Sequence, residues 1–183
     1  FESKNDEKEL KILILGGSQA AKIFAETLPQ TFKQCSETGI PIKIIQQCLP
    51  DQNQELSSFY KSLKIEYKLF NFSKNIIEFF PKINLAITRS GSSVLAELTN
   101  ANIPFINIPL PSSADNHQLK NANFYKERNL AFIVEEKNLN DKLALLIKDI
   151  FNDNSKLVKI LQNQRQYSDK NVYNNVDQLL KDL

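Results

Sequence analysis

Three short polar segments, each directly after an apolar run, contain the residues best suited to hold a ligand. The first is GGSQ at residues 16–19, which follows the run at residues 10–15. Its two glycines allow a tight turn, and the amides of a helix beginning near Ala20 would face a negative group, with Ser18 and Gln19 beside it. The segment matches neither GxGxxG nor a Walker loop. Alone, it fits an anion-binding turn or a turn without a ligand.

The second segment is TRSGSSVLAE at residues 88–97. Ser92 or Ser93 can cap a helix here, and the first amides of that helix form an anion site strengthened by the helix dipole. Glu97 lies about one turn further on, where a carboxylate can accept hydrogen bonds from a diol such as the ribose hydroxyls. An ordinary capped helix explains the same pattern. Arg89 at the end of the run, one of three arginines, favours a binding role.

The third segment is a proline-rich loop that enters a helix, at residues 109–122. His117, Gln118 and Asn121 lie three or four residues apart, so they share one edge of that helix. Their donors and acceptors suit hydroxyls and an acetamido group. No serine nucleophile is paired with His117 in the manner of a catalytic triad, so the sequence does not support hydrolase chemistry.

The elements that position these segments alternate between strand and helix. The predicted strands are residues 10–15, 42–45, 65–70, 85–88, 104–108 and 131–134. The predicted helices are residues 20–36, 52–63, 73–80, 92–101, 116–128, 138–151, 154–166 and 170–182. This alternation predicts an α/β fold with a Rossmann-like, doubly wound parallel sheet followed by C-terminal helices. Ligands of such sheets bind beyond the carboxyl ends of the strands, so the three segments are expected to share one crevice.

Size and composition set the remaining limits. With 183 residues, 42% apolar and 24% charged, the chain is long enough for one well-buried domain. A net charge of +2 gives no support for a nucleic-acid partner. The two cysteines form no metal-binding pattern and are expected to be reduced thiols. No stretch approaches the roughly 18 apolar residues of a membrane span, and the charged residues 1–9 are expected to be a linker rather than a signal peptide.

Taken together, the three motifs in this order and spacing resemble the MurG family of bacterial glycosyltransferases. These enzymes transfer N-acetylglucosamine from UDP-N-acetylglucosamine to lipid I in peptidoglycan synthesis. The family has two Rossmann-like domains, the GT-B fold, and this chain resembles the C-terminal, donor-binding one. The resemblance implies a donor domain at residues 10–168. The segment 169–183 would be a last helix, packed either on this domain's core or on an absent N-terminal domain.

The resemblance also assigns the phosphate-binding residues. Ser18 and Gln19 would lie at the diphosphate and the sugar, and the amides of Ser92, Ser93 and Val94 would bind phosphate. Two positions depart from the family pattern. Ala20 stands where the family normally has glycine, which makes the first turn less permissive. Val94 replaces a frequent threonine and so removes one possible hydrogen bond to phosphate.

The remaining parts of the donor are assigned in the same way. Glu97 would bind the ribose hydroxyls, and His117, Gln118 and Asn121 would contact N-acetylglucosamine. The segment Phe72-Ser73 would border the uracil, where backbone groups read the base.

The implied reaction inverts the anomeric centre without a metal or another cofactor. Helix amides would stabilise the departing UDP. The general base, the site for the lipid-linked acceptor and the membrane-facing patch would lie in an N-terminal domain. The whole enzyme would be cytoplasmic and peripheral on the cytoplasmic face of the inner membrane. Two alternatives remain open: the donor-binding subunit of a two-subunit glycosyltransferase, and a non-enzymatic module that binds nucleotide sugars. A related epimerase is not supported, because no suitable acid/base pair is found.

Overall fold

Six parallel strands form one sheet in the computed structural model, which describes residues 9–73 and 75–167 and only the backbone of residues 18–21. The strands are β1 (Leu10–Leu15), β2 (Ile42–Gln47), β3 (Glu66–Phe70), β4 (Leu85–Thr88), β5 (Phe105–Asn107) and β6 (Phe132–Ile133). They lie in the order β3-β2-β1-β4-β5-β6. All pairs are parallel. The predicted Rossmann-like sheet is confirmed.

Helices cover both faces of this sheet. They are α1 (Gly17–Glu37), α2 (Asn53–Ser62), α3 (Ser92–Asn100), α4 (His117–Glu127), α5 (Ala144–Asn152) and α6 (Ser155–Tyr167). Side chains of β1 alternate between the faces, as the two-residue period of a strand requires. Ile12 and Ile14 pack with buried residues of α1, α2 and α5. Leu13 and Leu15 pack on the opposite face with residues that include Leu95 of α3.

The structure departs from the predicted helices in two places. The helix expected at residues 73–80 is instead a 3-10 helix over Ile76–Lys82 with Pro81 inside it. Proline lacks the amide that a regular helix would need, and Phe79 and Phe80 are held by burial instead. A π-helical turn over Leu139–Leu143 precedes α5, so the predicted helix at 138–151 begins irregularly. Residues 1–8 of the expected linker at 1–9, and the predicted helix at 170–182, lie outside the described residues.

The strand order reverses between β1 and β4, and this reversal determines where a ligand can bind. From β1 the chain continues to β2 on one side, whereas from β4 it continues to β5 on the other. Leu15 lies opposite Thr88 in the ladder, so the two strands end side by side. The loops that follow them separate there and leave a crevice. Every helix among the described residues is too short or too polar to span a lipid bilayer.

Cys35 provides a test of how tightly α1 packs on the sheet. Its thiol is free and only 2% exposed, and burial raises its pKa to about 11. The thiolate is the reactive form, so Cys35 of the native protein is expected to resist a disulfide reagent near neutral pH and to react after unfolding in urea. Because the folded-state pKa is the higher one, the stability that Cys35 contributes is expected to fall as pH rises towards 11. Rapid labelling of native Cys35 would contradict this packing.

Candidate functional site

A cleft of about 390 Å³ opens at the carboxyl ends of β1 and β4. Its lining comes from the last residues of β1, β2 and β4, from the loops and first helical turns after β1, β4 and β5, and from the 3-10 helix after β3. The lining residues are Leu15, Gly16, Gly17, Gln47, Ile76, Thr88, Arg89, Gly91, Val94, Leu110 and Gln118. All three polar segments singled out in the sequence therefore contribute to one cleft, as predicted.

The glycine turn after β1 needs its second glycine. Gly17 has φ +66°, a conformation that side chains disfavour, and its amide donates to Oε1 of Gln47 at 3.1 Å. The prediction that the helix begins near Ala20 is wrong. The helix begins at Gly17, because Gly16 alone forms the turn between β1 and α1. The backbone of Ser18 and Gln19 therefore lies in the first turn of α1. Their side chains are not described, so their contacts with a ligand remain a prediction.

The start of α3 borders the cleft. Gly91 occupies the N-cap position, and no side chain caps the helix. The prediction that Ser92 or Ser93 caps it is wrong, because both serines already lie in the first turn, where they are exposed. First-turn amides have no partner within their own helix. Gly91 and Val94 line the cleft on either side of these amides, so the amides are well placed for an anion.

Gln118 and Asn121 of α4 connect the helix of the third polar segment, residues 109–122, to the loop after β4. Oε1 of Gln118 accepts from the amide of Ser90 at 3.1 Å and from the amide of Leu110 at 3.0 Å. Nδ2 of Asn121 donates to the carbonyl of Ser90 at 3.0 Å. Gln118 lines the cleft, and its carbonyl oxygen is already used by the protein. A contact of its Nε2 with a ligand remains a prediction. His117 is exposed, with Nδ1 2.8 Å from the carbonyl of Ala114, and lies outside the cleft lining.

Replacing Gln118 by alanine is expected to lower the free energy of unfolding by about 1–3 kcal/mol, the cost of leaving part-buried donors without an acceptor. Gln118→Glu keeps an acceptor for both amides and is expected to be closer to wild type. Urea unfolding would measure both effects, with Asn123→Ala on the exposed face of α4 as the control. An alanine variant as stable as the control would contradict the bonding seen here.

Arg89 is bound by protein groups rather than directed freely into the cleft. Its side chain is 8% exposed and pairs with Glu136. Nη1 donates to the carbonyls of Ile108 at 3.2 Å and Pro109 at 3.4 Å. The guanidinium also lies over the ring of Phe24, 4.8 Å from its centroid. Arg89 thus fixes the loop after β5 against the end of β4. A direct contact with substrate remains a prediction.

Phe72 and Ser73, the residues expected to border a base, follow β3 but are not part of the cleft lining. Phe72 is 76% exposed. Oγ of Ser73 donates to Glu78 at 3.2 Å and accepts from the amide of Asn75 at 3.1 Å. Ile76, rather than Phe72, lines the cleft.

Glu97 projects from α3 about one turn beyond the amides at its start. Its side chain is exposed and is not part of the cleft lining. A contact between Glu97 and a ligand remains a prediction.

Sequence reasoning missed several residues of the lining, above all Gln47, Ile76 and Leu110. Gln47 was missed because the apolar run was ended at residue 45, whereas β2 continues to Gln47. A polar side chain at the true carboxyl end of a central strand was the available clue. Ile76, in a predicted helix, and Leu110, in a predicted loop, carry no such clue, since apolar residues are common in both.

Comparison with known proteins assigns the chain to a family. The model of the glycosyltransferase family 28 C-terminal domain matches residues 11–179, nearly the whole chain. The chain belongs to this family. The resemblance to the C-terminal domain of a glycosyltransferase, which rested on the three motifs, is therefore confirmed.

Two relatives of this family 28 domain carry the same name. The proteins from Pelagibacter ubique and Rickettsia prowazekii are both called UDP-N-acetylglucosamine--N-acetylmuramyl-(pentapeptide) pyrophosphoryl-undecaprenol N-acetylglucosamine transferase. The first is 35% identical over 170 residues, which are 92% of this chain and 47% of the relative. The second is 37% identical over 155 residues, which are 83% of this chain and 40% of the relative. The chain spans about half the length of the curated relatives it matches.

A solved structure supports the fold. The crystal structure of Acinetobacter baumannii MurG superposes with a TM-score of 0.79 at 24% identity, covering 99% of this chain and 54% of that one. The family 28 domain therefore has the fold of one half of a GT-B glycosyltransferase.

Proposed function

We propose that the cleft binds UDP-N-acetylglucosamine and that this chain supplies the donor-binding domain of a transferase that adds N-acetylglucosamine to lipid I. The observation that carries the proposal is the convergence of the glycine turn, the uncapped start of α3 and the Gln118–Asn121 edge on one cleft at the strand-order reversal. Each of these three features suits a different part of a nucleotide sugar. The names of the relatives supply the identity of the sugar and the acceptor.

The diphosphate is proposed to lie between the glycine turn and the start of α3. Backbone amides there, including those of Ser92, Ser93 and Val94, would donate to phosphate oxygens, with Ser18 and Gln19 close by. The dipole of α3 adds a partial positive charge at the same point. Negative charge grows on UDP as the glycosidic bond breaks, so fixed donors at this position lower the barrier.

The ribose is proposed to bind Glu97, and the uracil to lie beside the segment Phe72-Ser73. The sugar is proposed to contact Gln118, Asn121 and His117. For Gln118 the donor would be Nε2, because Oε1 accepts from two backbone amides. A ligand carbonyl, such as that of an acetamido group, is the natural partner of such a donor.

The reaction is proposed to be an inverting displacement without a metal, in which amides and the helix dipole take the part that a cation plays elsewhere. The general base and the binding site for the lipid-linked acceptor are proposed to lie in an N-terminal domain that is peripheral to the inner membrane. Arg89 would contribute by holding the loops that shape the cleft.

Isothermal titration calorimetry with UDP, UDP-glucose and UDP-N-acetylglucosamine, with EDTA or with magnesium, tests the proposal. We expect all three to bind, with UDP-N-acetylglucosamine tighter than UDP-glucose and no dependence on magnesium. The absence of binding by every one of them would refute the proposal. Binding that requires magnesium would refute the metal-independent mechanism alone.

A further inference from the structure

Gln47 is a side chain of the cleft that bridges the glycine turn after β1 and the loop after β3. It stands at the carboxyl end of β2, between β1 and β3 in the sheet. Its Oε1 accepts from the amide of Gly17 at 3.1 Å. Its Nε2 donates to the carbonyl of Asn71, the first residue after β3, at 3.4 Å. Through this carboxamide the glycine turn is connected to the loop on the base side.

The two residues that Gln47 connects, Gly17 and Asn71, differ in whether another side chain also holds them. Asn71 has a second anchor, because Nδ2 of Asn53 donates to its Oδ1 at 3.2 Å. The thiol of Cys48 donates in turn to Oδ1 of Asn53 at 3.0 Å. For the amide of Gly17, Gln47 is the partner found in the described part of the chain. The loop on the base side can therefore keep its place without Gln47, whereas the glycine turn loses its contact.

The glycine turn also needs an external contact more than most turns do. Gly17 is at φ +66°, and glycine visits many other conformations at little cost. A hydrogen bond to its amide reduces that freedom before a ligand arrives. Preorganised donors bind an anion more tightly than donors that must be ordered on binding.

Resting on the proposed function, we infer that Gln47 is a positioning residue that fixes the Gly17 turn for the diphosphate of the nucleotide sugar. It acts through the backbone of Gly17 and serves the phosphate end of the ligand rather than the base.

The test compares wild type with Gln47→Met, which keeps the length of the side chain and removes both hydrogen bonds, and uses UDP and uridine as probes in calorimetry. UDP affinity is expected to fall about 3- to 10-fold, the usual effect of one hydrogen bond, while uridine affinity stays unchanged. Gln30→Met, on the exposed side of α1, is the matched control and is expected to change neither affinity. In the ligand-free protein, hydrogen exchange of the Gly17 amide is expected to be faster in Gln47→Met.

The outcomes separate this inference from the proposed function. If wild type binds no UDP, both are overturned. If wild type binds UDP and Gln47→Met binds it equally well or more tightly, only the inference is overturned, and tighter binding would mean that Gln47 competes with the ligand for the Gly17 amide. Parallel losses of UDP and uridine affinity would indicate a general structural role and would also overturn it.

Discussion

Replacing Glu97 by glutamine is expected to weaken UDP binding by about 1–3 kcal/mol, or roughly 5- to 150-fold, because hydrogen bonds to a charged acceptor are the strong ones. The carboxylate would accept from the two ribose hydroxyls, and glutamine offers a single neutral acceptor. The side chain of Glu97 is exposed, and within the described part of the chain it makes no hydrogen bond or ion pair. The free energy of unfolding should therefore stay close to that of wild type.

Calorimetry with UDP measures this effect. Glu127→Gln, an exposed carboxylate at the end of α4, removes the same charge away from the cleft and serves as the control. The control should bind UDP like wild type. If Glu97→Gln also binds like wild type, the ribose does not lie at Glu97, and its position in the proposed complex has to be revised.

Replacing Arg89 by leucine is expected to have the largest effect on stability. Removing one partner of a buried ion pair typically costs about 3–5 kcal/mol, because the other charge stays behind without compensation. Glu136 keeps 25% of its side-chain surface exposed, so the loss is expected at the lower end, about 3 kcal/mol. The carbonyls of Ile108 and Pro109 lose their donor in the same substitution.

Chemical unfolding of a small set of variants measures the loss in the free energy of unfolding. Lys156→Leu breaks the exposed pair with Asp149 and should have a much smaller effect on the free energy of unfolding, because solvent screens an exposed pair. Combining Arg89→Leu with Glu136→Gln removes the uncompensated charge and should recover part of the stability. A loss in Arg89→Leu no larger than in Lys156→Leu would show that the buried pair does not hold the cleft loops together.

The sheet was predictable from sequence because strands buried on both faces read as continuous apolar runs. The run at residues 10–15 is the clearest example, with Ile12 and Leu13 buried on opposite faces of the sheet. The cleft was predictable for a related reason. In a doubly wound sheet the carboxyl ends of all strands lie on one edge, so polar residues after separate strands must come close together.

What the sequence could not supply is the partner of each side chain. Arg89 stands at a strand end, as a ligand-binding residue would, yet its partner Glu136 lies 47 residues further along the chain. Oε1 of Gln118 is taken up by amides 28 and 8 residues away. Such bonds depend on how loops of different strands meet, and no local pattern encodes that. The 3-10 helix over Ile76–Lys82 was missed because Pro81 and local packing override an apparent helical spacing.

The most direct test of the central claim is to follow backbone amide signals by nuclear magnetic resonance while UDP is added in the presence of EDTA. The claim predicts saturable shifts of the amides of Ser92, Ser93 and Val94, since these would donate to the diphosphate. It also predicts a shift of the Gly17 amide, which stays bonded to Gln47 but would lie beside the same diphosphate. Uridine alone should leave them nearly unchanged. Shifts confined to another surface, such as the groove lined by Lys126 and Lys159, would contradict the placement of the nucleotide sugar in this cleft.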